Sequence, residues 1–236
     1  MAVAASDRAF LGVAALLFAG SAAATIALSA GARTPICGGG TMAWPPLLGV
    51  ASFLVMWIVM MTAMMLPSLV PVLWRYRRAI GATGRDRLAA LIGAGYFCLW
   101  TTIGLAVFPL AMALPALLRA VPPAAGVIVL AAGVLQFTAW KARHLACCRA
   151  VPGPGSLPTN ADAAWRHGLR LGLHCSLCSI GSTAVLLVLG MMDLGAMAAV
   201  TVAVTLERLA PAGERAARGI GVVLVGVGLL LVTGFA

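Results

Sequence analysis

Residues 56–71 read MWIVMMTAMMLPSLVP, an uninterrupted apolar run with five methionines in ten residues and a proline at each of positions 67 and 71. The uncharged stretch around it extends from Leu47 to Leu73, longer than the ~20 residues a helix needs to cross about 30 Å of hydrocarbon. The segment therefore reads as a membrane helix. On that helix Met56, Met60 and Met64 stack at i, i+4, i+8, and Met61 and Met65 form a second row beside them. Thioethers are soft, weak ligands suited to Cu(I), and they are equally flexible packing material. The run alone does not choose between these uses.

The rest of the chain follows the same pattern. Of its 236 residues 62% are hydrophobic and 9% charged, with a mean hydropathy of +1.06. A soluble domain of this size does not bury so much apolar surface, so the expected class is an all-α polytopic membrane protein. The expected spans are 10–30, 47–73, 88–114, 124–140, 171–192, 195–209 and 219–236, forming one integral membrane domain over 1–236. The first is preceded by Arg8, and Ala-Leu-Ser-Ala before Gly31 resembles a signal cleavage site. Its length fits a span better. Pro67 and Pro71 should kink the end of the second span.

Seven spans place alternate loops on opposite sides. The N-terminus and the loops at 74–87, 141–170 and 210–218 then share one side with 14 of the 16 Lys and Arg residues, counting Arg208 at the end of the 195–209 span; only Arg33 and Arg119 fall opposite. Cytoplasmic loops carry that excess. The expectation is an inner-membrane protein with its N-terminus inside and its C-terminus outside. The same bias explains the net charge of +10 without a nucleic-acid partner. The lipid bilayer is the implied partner.

The chemistry gathers at that basic side. Cys175 and Cys178 form a C-x-x-C in the fifth span, preceded by His174, so three donors crowd one helix face. His144 and Cys148 repeat the i, i+4 spacing past the fourth span, with Cys147 adjacent. Thiols in a reducing compartment point to metal ligation or redox chemistry rather than structural disulfides. Thiolates suit Cu(I) or zinc, and added thioethers favour Cu(I). Measured from the ends of the apolar runs, Met64 lies about 15 Å and Cys178 about 10 Å deep. A ladder of soft ligands follows: His144, Cys147 and Cys148 first, then Cys175 and Cys178, then Met60, Met61, Met64 and Met65. Lys141, Arg143 and Arg149 read first as positive-inside anchors. Gln136 and Thr138 should hydrogen-bond across helices, Glu207 with Arg208 suggests a snorkelling pair, His167 a solvated side chain, and Asp193 a helix cap. Cys37 and Cys98 have no evident partners.

At these residues the chain resembles a bacterial family of metal-binding integral membrane proteins without a known activity. The family pattern W-x-x-M-M-x-A-M-M-x-P is met by Trp57, Met60, Met61, Ala63, Met64, Met65 and Pro67. Gly95, Tyr96 and Trp100 match its G-Y-x-x-x-W, and Gln136, Thr138, Lys141, Cys148 and Arg149 match its Q-x-T-x-x-K and following Cys-Arg. Gly172, Cys175 and Cys178 match G-x-x-C-x-x-C; Met192, Asp193, Leu194, Glu207 and Arg208 stand for M-N-L and E-K. His144 replaces a family cysteine, which keeps a metal donor and argues against a four-cysteine site.

The expected function is soft-metal handling, delivery or transport, with copper favoured over zinc and a membrane or metallochaperone protein as partner. Whether the chain is an enzyme stays open. The alternatives are a thiol-disulfide membrane oxidoreductase using the C-x-x-C and a non-catalytic scaffold subunit.

Overall fold

A computed structural model describes residues 2–31, 46–80, 84–150 and 157–234. Cys37 lies outside these. The described residues form eight helices and no strand: α1 (Ala2–Gly31), α2 (Pro46–Ala79), α3 (Arg85–Ala120), α4 (Ala124–Leu135), α5 (Ala139–Arg149), α6 (Ala161–Leu189), α7 (Leu194–Leu209) and α8 (Gly213–Thr233). The chain is thus an all-helical polytopic membrane protein. Five helices (α1, α2, α3, α6 and α8) are long and apolar enough to cross a membrane, and α4 with α5 forms a sixth candidate bent by 65°. The remaining expected span, the sixth at 195–209, is α7, whose 16 residues reach about 24 Å.

Helices run past the apolar segments that announced them. α2 continues through Pro67 and Pro71 to Ala79, and α6 begins at Ala161, within the expected 141–170 loop. Hydropathy marks the stretch that lipid favours, whereas backbone hydrogen bonding continues wherever packing supports it. Depths measured from the apolar ends therefore do not carry over. Cys178 lies seventeen residues from the start of α6, roughly 25 Å along its axis.

The chain divides into two compact units, one of residues 1–105 and 150–173, the other of 106–149 and 174–236. In the first, Trp57 is fully buried, stacks on Phe53 and donates its indole N–H to the Trp100 carbonyl at 2.8 Å. Gly104 gives the Trp57 ring its room, because a Cβ there would run into it. Gly95 plays the same part against the Trp165 carbonyl, 2.6 Å from where its Cβ would stand. Met60, Met61, Met64 and Met65 are 1–3% exposed.

The polar end of this unit joins α1, α2 and α3. Arg77 pairs with Asp86 at 2.5 Å and Asp7 at 3.6 Å, while its guanidinium lies 4.3 Å over the Phe10 ring. Tyr76 donates to the Pro158 carbonyl at 2.6 Å and stacks on His167, which is half-buried rather than solvated.

In the second unit α4 packs closely on α8. A Cβ at Gly133 would stand 2.7 Å from the Val225 nitrogen, and one at Gly228 2.6 Å from the Leu130 nitrogen. Such small-residue contacts let membrane helices approach backbone to backbone. The Asp193 carboxylate caps α7, accepting from the Ala196 N–H at 2.7 Å.

Candidate metal centre

The site lies wholly in the second unit and begins where α4 stops. The last turn of α4 tightens into i→i+3 bonds, with Gln136, Phe137 and Thr138 N–H groups donating to the Gly133, Val134 and Leu135 carbonyls. The chain turns there by 65°. Thr138 then caps α5: its hydroxyl accepts the Lys141 N–H at 3.2 Å while donating to Leu135 O at 2.7 Å. This hydroxyl acts locally, not across helices as expected. Gln136 does reach across, donating to Glu207 Oε1 at 3.0 Å.

From that cap α5 turns Lys141, Leu145 and Cys148 into the interior, a 4-then-3 spacing that keeps them on one face. Cys148 meets Cys178 of α6 with 3.7 Å between the sulfurs. One turn earlier on each helix, His144 meets His174 with 3.2 Å between their Nδ1 atoms, and Trp140 packs edge-on against the His144 ring. The predicted donors His144, Cys148, His174 and Cys178 are thus brought together as two facing pairs.

Both separations suit a shared ion. Two thiolates bound tetrahedrally at about 2.3 Å lie roughly 3.8 Å apart, and two imidazole nitrogens at about 2.05 Å lie roughly 3.3 Å apart. Among the described residues, however, no three His, Cys, Asp or Glu side chains converge on one point. The third thiol, Cys175, is buried beside Arg208, whose terminal nitrogen lies 2.7 Å from its sulfur. Cys147 is exposed. Cys98 is also exposed. Met60, Met61, Met64 and Met65 belong to the first unit.

Beneath the thiols lies a charge network that the sequence reading missed. Lys141, 2% exposed, bonds Glu207, 1% exposed, at 2.7 Å and the Cys178 carbonyl at 2.5 Å. Glu207 is therefore no snorkelling partner of Arg208, and Lys141 is no surface anchor. Arg149 donates to the Glu207 carbonyl at 2.9 Å and the Pro211 carbonyl at 3.2 Å, tying α5 to the end of α7. The available signal was charge at a position whose helical neighbours are apolar: Glu207 stands three residues after buried Val204, on the same face.

A family model described as PpoB2, copper chaperone, matches residues 54–231. No curated protein and no solved structure matches the chain.

Proposed function

The chain belongs to the PpoB2 copper-chaperone family, and from that membership we propose that it binds Cu(I) as cargo between α5 and α6 and hands it to a protein partner. Cys148 and Cys178 are the proposed resident ligands, with Cys175, His144 and His174 as neighbours that take over as the ion enters or leaves. The observation that carries this reading is the 3.7 Å separation of the Cys148 and Cys178 sulfurs, which suits two thiolates on one metal. Thiolate also suits a soft monovalent ion, and a family of copper chaperones favours copper over zinc. Met60, Met61, Met64 and Met65 are proposed as a second set of soft donors along the ion's route. The setting proposed is the bacterial inner membrane, with the N-terminus inside.

Elemental analysis of detergent-purified protein, loaded with Cu(I) under reducing conditions, tests the reading. About one equivalent of copper is expected in the wild type and a loss of most of it in Cys148→Ser/Cys178→Ser. Equal copper in both proteins sinks the assignment of these two thiols. A Met60/Met61/Met64/Met65→Leu variant that keeps its copper but delivers it to an acceptor at the wild-type rate removes the methionines from the route.

A further inference from the structure

Arg208, in the last turn of α7, places one terminal nitrogen 2.7 Å from Cys175 Sγ, 3.0 Å from Ser179 Oγ and 3.5 Å from Cys178 Sγ. A guanidinium stays charged in a protein and only donates. Lys141 and Arg149 also stand close, both bonded to Glu207, the first at its carboxylate and the second at its carbonyl. Glu207 bonds Lys141 through its carboxylate, while the Arg208 guanidinium lies directly on two of the sulfurs. Its repulsion acts on whatever ion those sulfurs hold and is twice as large for a divalent as for a monovalent ion. Ligand softness does not make this distinction alone, since Zn(II) and Cu(I) both take thiolates.

We propose that Arg208 is a specificity-determining residue of the thiol cluster, favouring the monovalent ion Cu(I) over Zn(II) through its fixed charge. This rests on the copper reading above and adds the means of metal choice. An arginine that only held α7 against α6 would change both affinities together.

The experiment measures Cu(I) and Zn(II) affinities of the full chain in detergent, by competition with chelators, for wild type, Arg208→Gln and Arg208→Lys. Arg208→Lys keeps the Cu(I)/Zn(II) affinity ratio, while Arg208→Gln moves it toward Zn(II) by on the order of tenfold or more, the scale of one unit charge removed a few ångströms away. An unchanged ratio in Arg208→Gln, including equal loss of both ions, overturns the assignment. If Arg208→Gln does not fold, Arg208→Met, which keeps the apolar stem and removes the charge, makes the same prediction: the ratio must move toward Zn(II), and a ratio that stays or moves toward Cu(I) overturns the proposal. A wild type that binds neither ion overturns the copper reading itself; a wild type that binds Cu(I) beside an Arg208→Gln of unchanged ratio overturns only the role of Arg208.

Discussion

Lys141 and Glu207 show how a single pair of side chains fixes the geometry of the thiols. Both are almost wholly buried, and Lys141 also holds the Cys178 carbonyl. A buried ion pair adds little net stability over an apolar pair of equal volume, but removing one partner strands the other. Lys141→Met is therefore expected to destabilise the protein by about 3–5 kcal/mol, seen as a lower unfolding midpoint in detergent. The double variant Lys141→Met/Glu207→Leu should recover much of that loss. If the double variant is as unstable as the sum of both single ones, the pair is not acting as a unit. The thiols predict differently: Cys178→Ser sets a hydroxyl in a buried site and should cost about 1–3 kcal/mol, while removing bound copper.

The bent pair α4–α5 brings these residues to α6, and two local devices make the bend. One is the tightened last turn of α4, which frees Gln136 to meet Glu207; the other is the Thr138 cap that restarts the helix before Lys141. The spacing Q-x-T-x-x-K thus encodes a polar bridge, a helix start and a buried cation in six residues. Thr138→Ala should cost about 1 kcal/mol, the usual worth of an N-cap, and hydrogen exchange should then quicken in the first turn of α5 rather than throughout the chain. The α4–α8 contact makes its own prediction. At Gly133 a Cβ meets the Val225 backbone nitrogen at 2.7 Å, and backbone cannot rotate away as a side chain can. Gly133→Ala is expected to destabilise by about 1–3 kcal/mol, whereas Gly219→Ala, with nothing within 4 Å of its Cβ, should be neutral or slightly stabilising.

For the chain as one object, the open quantity is the number of crossings, because it sets the side of each end. α7 has 16 residues, a few ångströms short of a full hydrocarbon crossing at 1.5 Å per residue. Mismatch of that size costs only fractions of a kcal/mol per ångström, so α7 can still cross. The charge asymmetry favours it: with seven crossings, 14 of 16 basic residues share the cytoplasmic side. Reporter fusions should then place residue 1 inside and residue 236 outside. Both ends on one side would mean that α7 does not cross, or that α4 and α5 do not form a single span.

Membrane class and helical content were legible in the sequence, and so was the grouping of candidate donor residues along single helices. Hydropathy and the i, i+4 spacing act within one helix, and those are rules of short range. His144 with Cys148, and Cys175 with Cys178, follow from 3.6 residues per turn without any neighbour. Helix ends were less legible: apolar composition ended at Leu73 while α2 continued to Ala79, because polar residues can be helical in a packed interior. Only the tertiary structure decided which thiols face each other, that Cys148 rather than Cys175 stands opposite Cys178, and that Arg208 takes the place beside Cys175. It also turned Lys141, read as a positive-inside anchor, and Glu207, read as a snorkelling partner of Arg208, into one buried pair. These depend on a 65° bend and on residues 66 positions apart meeting, and no local pattern in the chain carries the distance between two helices.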